Sequence, residues 1–230
     1  LDDTRASHLQ FTPAVEGNRR IFTVSAWIKR SVIQNGTILS AGADNNNSFG
    51  FRFNGASLQA YDYNGSSNNY DWALETNADL RDPAAWYHVM LAVDTTQATN
   101  TNRMKLYING NQQTDLATAS YPSSQNYDTE FNQADQVHRL GETHSVDSAM
   151  NGYLAEVYLL DGIVGTPSDF GETGSYGEWK PKLYTGSFGN NGWYLPFKND
   201  YTVEGFSATV WKNPAPMYVG GVGFKADLIW

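Results

Sequence analysis

Residues 85–110 read as two strands joined by a polar tip: AWYHVMLAVDTT, then QATNT, then NRMKLYING. In the second strand Met104, Leu106 and Ile108 alternate with Arg103, Lys105, Tyr107 and Asn109, so one face is buried and the other is wet. It closes on Asn109-Gly110, a dipeptide suited to a tight turn between strands. The first strand sets Tyr87, Val89, Leu91 and Val93 on one face and Trp86, His88, Met90 and Ala92 on the other. Neither face suits water, which predicts a central strand covered on both sides. The chain must therefore build an antiparallel sheet with material stacked above and below it.

The same alternation recurs along the chain. IFTVSAWIKR (21–30) reads as a strong strand, followed by shorter ones at 36–42, 48–55 and 57–63, and by two more at 136–142 and 151–162. In the last of these Tyr153, Ala155, Val157 and Leu159 alternate with Leu154, Glu156, Tyr158 and Leu160. Residues 64–71 (NGSSNNYD) read as a polar loop, and 116–136 as a long irregular segment that is either functional or folded onto the sheet. Thr166-Pro167-Ser168-Asp169-Phe170 fits one helical turn, with Thr capping and Pro at the first position. Regular short strands with almost no helix predict an all-β, two-sheet antiparallel sandwich.

Aromatic residues make up 14% and charged residues 17%, ample material for a core and a poor match to disorder. There is no cysteine, which removes disulfides, Cys-ligated zinc and a thiol nucleophile together. A formal charge of −9 argues against a non-specific nucleic-acid partner, because phosphate contacts need clustered Lys and Arg. No apolar run approaches the roughly 20 residues that span a bilayer, so membrane insertion is not expected. The chain starts at Leu1 and stops inside a strand-like run, so it reads as a processed product or a part of something longer. From about Asp200 the texture changes, giving an expected division into a domain at 1–197 and a linker, extension or inter-subunit arm at 198–230.

Several segments, in order, resemble a laminin-G-like domain common in virion proteins of tailed bacteriophages, a branch of the concanavalin A-like jelly rolls. They are GNRRIFTVSAWIKRS (17–31), LRDPAAWYHVMLAVDTTQAT (80–99), NRMKLYINGNQQT (103–114), YPSSQNYDTEFN (121–132), HRLGE (138–142), NGYLAEVYLLDG (151–162), TPSDFGE (166–172) and GEWKPKLYTGSFGNNGWYLPF (177–197). The resemblance covers most of residues 7–197 and implies a jelly-roll sandwich with a C-terminal extension. It also implies a virion surface location, in a tail fibre, spike, head fibre or capsid decoration. Its expected partners are other virion proteins, further copies of the chain and host or environmental glycans.

Catalysis by glycoside hydrolysis needs two carboxylates facing one cleft. Glu156 has only Leu154, Tyr158 and Leu160 on its strand face, Asp161 points the other way, and Glu142 sits at a strand end without an acid beside it. His8, His88, His138 and His144 lie on different segments with no GxSxG elbow, and His88 reads as a packed histidine. The expectation is a non-enzyme; a glycan depolymerase requires a carboxylate pair converging from separate strands. Calcium is a possible cofactor, with oxygens from Asp44 and residues 45–47, from Asp62 with Asn64, and from Asp71.

Sugar contact needs an aromatic face for the apolar side of a pyranose and amides or carboxylates for its hydroxyls. Tyr61, Tyr63, Asn64, Asn68, Asn69, Tyr70 and Trp72 are interleaved in that manner, and Tyr121, Asn126 and Tyr127 form a second set. The favoured expectation is thus an adhesin module with these residues at the rim. The alternative is a structural decoration or adaptor that buries apolar residues such as Trp211, Tyr218, Val219 and Trp230 against neighbours.

Overall fold

A computed structural model describes residues 8–44, 47–143 and 148–197. The side chain of Asp44, residues 45–46, His144 and the whole of 198–230, with Trp211, Tyr218, Val219 and Trp230, lie outside the described residues. The chain divides into two units, Leu1–Pro196 and Phe197–Trp230, and the account below concerns the first.

Fifteen strands appear among the described residues: β1 (Leu9–Phe11), β2 (Ile21–Arg30), β3 (Gly36–Asp44), β4 (Asn47–Asn54), β5 (Ser57–Asn64), β6 (Asn69–Asp79), β7 (Tyr87–Asp94), β8 (Met104–Ile108), β9 (Asn111–Gln112), β10 (Leu116–Ser120), β11 (Val137–Leu140), β12 (Gly152–Asp161), β13 (Gly171–Thr173), β14 (Trp179–Pro181) and β15 (Trp193–Leu195). A single helical turn, α1 (Pro167–Phe170), precedes β13. The backbone N–H of Thr166 donates to Asp169 Oδ2 at 2.7 Å, which holds this turn at its N-terminus.

Two antiparallel sheets form the sandwich, one in the order β1-β11-β3-β4-β5-β6-β10, the other in the order β15-β12-β2-β7-β8-β9. Between them lies one core that includes Phe22, Val24, Phe49, Phe51, Phe53, Trp72, Leu91, Leu106 and Phe131. The expected all-β sandwich is therefore observed. So is the double covering of the β7 strand: Val89, Leu91 and Val93 enter the main core, whereas Met90 and Ala92 join Tyr158, Leu160 and Phe170 in a second one. Residues from Ile163 to Phe188 supply that outer cover. It closes with the hairpin β13–β14, whose Trp179 ring lies against Gly110, a glycine at φ 82° where a Cβ would sit only 3.0 Å from that ring.

Three details depart from the alternation read in the sequence. Residues 69–71 are not loop, because NYDWALETNAD is one long strand, β6, with Trp72, Leu74 and Thr76 turned inward. Strand β10 occupies the start of the segment expected to be irregular and pairs with β6 at the sheet edge. In β12 the register shifts between Ala155 and Tyr158, and Glu156 sits at φ 47°. That bulge changes parity, so Leu154 packs in the main core with Val157 and Leu159 while Tyr158 and Leu160 face the second.

Candidate functional site

The outer face of the seven-stranded sheet follows directly from pairing register. One row runs Gln10, Arg139, Ser40, Gly50, Tyr61, Ala73 and Ser120 across all seven strands. A neighbouring row holds Arg52, Gln59, Glu75 and Thr118, and the row on the other side holds Gly42, Ser48, Tyr63 and Tyr70. The centre is thus floored by small residues, with aromatic and amide groups beside them. Gly50 is the clearest case: a Cβ there would fall 2.4 Å from Tyr61 Cζ, so only glycine lets the Tyr61 ring lie over the strand.

The polar groups on this face are linked in a fixed order. Asn54 Nδ2 donates to Glu75 Oε1 at 2.9 Å, and Gln59 Nε2 donates to Glu75 Oε2 at 2.8 Å. With its amide N–H₂ committed to Glu75, Gln59 turns Oε1 toward Arg52, whose Nε–H donates to it at 2.8 Å. The Arg52 guanidinium carbon also lies 4.8 Å from the centroid of the Tyr61 ring. The Tyr61 and Tyr70 centroids are 5.1 Å apart, those of Tyr63 and Tyr70 5.7 Å, and the Tyr63 hydroxyl donates to Asn68 Oδ1 at 2.7 Å. Tyr70 is 39% exposed and Tyr61 9%, so Tyr70 offers a face while Tyr61 is a platform.

Of the residues singled out in the sequence, the structure brings Tyr61, Tyr63, Asn68 and Tyr70 together. Asn69 is the exposed first residue of β6, its side-chain oxygen accepting from the Tyr70 N–H at 2.9 Å. Asn64 Oδ1 accepts from the Ser66 N–H at 3.0 Å, the turn-making role common for this residue type. Trp72 is corrected outright: it is fully buried beside Phe49, so it has no face for a ligand. The second set tethers a loop instead. Asn126 takes φ 62° and donates its N–H to Thr95 O at 2.8 Å, Thr95 Oγ1 donates to Tyr127 O at 2.7 Å, and Tyr121 and Tyr127 pack on the main core. Sequence reading missed Arg52, Gln59 and Glu75; the clue is polar residues at every second position of β4, β5 and β6.

The carboxylates are engaged separately. Glu156 Oε2 accepts from the Tyr194 hydroxyl at 2.6 Å and from the Tyr158 hydroxyl at 3.2 Å. Glu142 Oε2 lies 2.6 Å from His8 Nδ1. Asp161 accepts from the Asn18 N–H at 2.7 Å, Asn132 Nδ2 at 3.0 Å and the Asn191 N–H at 3.0 Å, stitching three distant segments at one end of the sandwich.

Asp62 faces inward in a row with Phe49 and Trp72, and burial pushes its carboxyl up to about 7, against the pull of the Glu130 N–H that donates to Oδ2 at 3.0 Å. The Trp72 indole N–H contributes a smaller pull in the same direction, although its geometry falls short of a hydrogen bond. Tyr127 donates to Asp71 Oδ2 at 3.1 Å, and burial together with the Asp62 and Asp71 charges raises its pKa. A carboxyl raised in this way is one half of what an acid–base pair needs. Asp62, however, has no exposed surface for a substrate to reach.

Of the calcium candidates, only the set of Asp62, Asn64 and Asp71 lies among the described residues, and its members do not converge. Asp62 turns into the core while Asp71 and Asn64 stay outside, and among the described residues no group of three His, Cys, Asp or Glu side chains could hold a metal.

His88 is the nearest approach to nucleophilic chemistry. Its Nε2 is 2.8 Å from Ser25 Oγ, and its Nδ1 accepts the Trp179 indole N–H at 3.0 Å. An indole nitrogen can only donate, so the imidazole proton must sit on Nε2 and point at the serine. That tautomer cannot take the Ser25 proton. Burial also pushes the His88 pKa down to about 4, and Trp27 stacks on the ring at 5.3 Å. His88 is packing, as its sequence context suggests.

The comparisons agree with this architecture. A model of the concanavalin A-like lectin/glucanase superfamily, of laminin-G type, matches residues 3–165. The chain belongs to that family. Domain 4 of AbnA, an extracellular arabinanase from Geobacillus stearothermophilus solved with arabinotriose, is 18% identical with a TM-score of 0.51, over 72% of this chain and 70% of that one. Mouse laminin α1 domains LG4-5 are 12% identical at TM-score 0.48, over 83% and 44%, and a heptameric SAP-like pentraxin from Limulus polyphemus is 20% identical at 0.47, over 69% and 71%. The arabinanase domain speaks to the fold alone. No curated protein matches the sequence.

Proposed function

We propose that this chain is a non-catalytic, saccharide-binding module that contacts glycans through the outer face of its seven-stranded sheet. The observation that carries the reading is the combination on that face of an ordered amide–carboxylate–guanidinium chain, Asn54, Glu75, Gln59 and Arg52, with the tyrosines Tyr61, Tyr63 and Tyr70. Planar donors and acceptors held in register suit sugar hydroxyls, and an exposed tyrosine suits the apolar side of a pyranose ring. Membership of a lectin-type superfamily supports it. The wider setting, a virion surface protein outside the cell in a tail fibre, spike or capsid decoration, rests on the sequence resemblance to bacteriophage domains.

A glycan array with the full chain tests the binding claim. Binding that is lost in Tyr70→Ala, with the melting temperature kept, supports it; a correctly folded chain that binds no glycan contradicts it. A second reading, a structural decoration held by protein contacts, is favoured by exposed Tyr176, Tyr153 and Leu183. Sedimentation at particle-relevant concentrations separates the two, since a structural decoration self-associates or binds virion proteins without sugar.

A further inference from the structure

Arg52 is held in one orientation by two contacts that leave its outer edge unspent. Nε–H is used on Gln59, and the guanidinium plane rests over Tyr61. Among the described residues neither Nη group has an acceptor, and Arg52 has no carboxylate partner, unlike Arg19, Arg20 and Arg81. The nearest acid in its row, Glu75, is separated from it by the Gln59 amide and is already satisfied by Asn54 and Gln59. Glu75 therefore orients Gln59, and Gln59 orients Arg52, without neutralising it.

A guanidinium of this kind is a receptor awaiting an anion. Two coplanar Nη groups match the two oxygens of a carboxylate, and prior fixation reduces the entropy lost when the pair forms. We infer that this face selects carboxylated saccharides, such as uronic- or sialic-acid-containing glycans, with Arg52 as the specificity-determining residue. The inference rests on the saccharide reading above. The sugar carboxylate pairs with the Arg52 Nη edge, and the ring extends along the face toward Tyr70 and Tyr63. With a net charge of −9, attraction for an acidic ligand has to be local, and Arg52 supplies it on this face. Gln59 and Glu75 act here as positioning residues.

The test titrates the full chain with matched pairs, oligogalacturonate against its methyl ester and sialyllactose against lactose. The expected result is tighter binding of the acidic member of at least one pair. Arg52→Gln should weaken that member roughly ten- to a hundredfold, and by clearly more than it weakens the neutral member. Arg52→Lys, which keeps the charge but not the fork, should recover only part of the loss, and Glu75→Gln should lower the acidic-to-neutral ratio. Equal affinity for both members, or an Arg52→Gln chain that binds the acid as the wild type does, overturns the inference and leaves the saccharide reading standing. A folded chain that binds neither member of either pair overturns the inference, and the same chain binding no glycan on the array overturns the saccharide reading with it.

Discussion

Trp179 and His88, 91 residues apart in sequence, meet through an indole N–H that donates to Nδ1 at 3.0 Å. The contact joins the β13–β14 cover to the central strand of the six-stranded sheet and sets the histidine tautomer. Trp179→Phe keeps the ring packing but leaves a buried nitrogen without its donor. It should cost about 1–3 kcal/mol in urea denaturation at neutral pH. No change would mean that the cover does not hold the strand through this bond.

Acid should destabilise the fold through two histidines. Burial lowers both His88 and His138 to about 4 from the ordinary imidazole value of 6.5. The unfolded chain takes up these protons first, so the stability they confer is whole above pH 6.5 and is lost as pH falls toward 4. Each contributes on the order of 3 kcal/mol across that window. Denaturant midpoints measured from pH 7 down to pH 4 should fall, with the imidazole NMR signals of both residues remaining neutral until near the lower end.

Asp62 works in the opposite direction. Burial lifts its native pKa to about 7, above the ordinary carboxyl value of 3.8, so the folded state holds a proton that the unfolded state releases. Its contribution is whole below pH 3.8 and is lost as pH rises through 7. Asp62→Asn should therefore gain stability over wild type as pH rises, by up to a few kcal/mol at pH 8, with the two curves approaching each other near pH 4. Parallel curves would show that Asp62 is not neutral in the fold.

Arg103 donates to four main-chain carbonyls, Gln97, Ala98, Pro122 and Ser123, and so pins the tip of the β7–β8 hairpin to the segment after β10. Replacing it with Met leaves those carbonyls without their donor while retaining much of the stem's packing. The expected loss is about 3 kcal/mol or more. Hydrogen exchange should localise it to residues 94–103 and 122–127.

Trp72 and Gly50 separate folding from binding. Trp72→Ala should cost about 3–5 kcal/mol, because it empties a fully buried site in the main core. Gly50→Ala puts a methyl group against the Tyr61 ring and should tilt that ring and the Arg52 above it. The expected outcome is a loss of about 1–3 kcal/mol in stability together with weaker saccharide binding.

The fold was largely legible because alternation at period two is a direct record of burial. It failed where the backbone broke parity. Glu156 takes a left-handed conformation that no local pattern announces, and the strand Asn69–Asp79 was hidden by Asn-rich wording that also makes turns. The candidate site was legible in part. Tyr61, Tyr63 and Tyr70 lie close in sequence, and pairing of β5 with β6 makes them neighbours in space. Arg52, Gln59 and Glu75 come from three strands, and their alignment depends on registers that only the assembled sheet defines. Trp72 misled because it lies two positions from the exposed Tyr70, where plain alternation gives both one face; the register shift between Asp62 and Tyr63 in the β5–β6 pairing breaks that parity and turns Trp72 inward.

The most direct test of the account is a chemical-shift map of the isotopically labelled chain titrated with an oligosaccharide found by array to bind. The account predicts shifts centred on Arg52, Gln59, Tyr61, Tyr63, Tyr70 and Glu75, on the outer face of the seven-stranded sheet. Shifts centred instead on the segment containing Tyr121, Asn126 and Tyr127, or on the cover around Trp179, would contradict it.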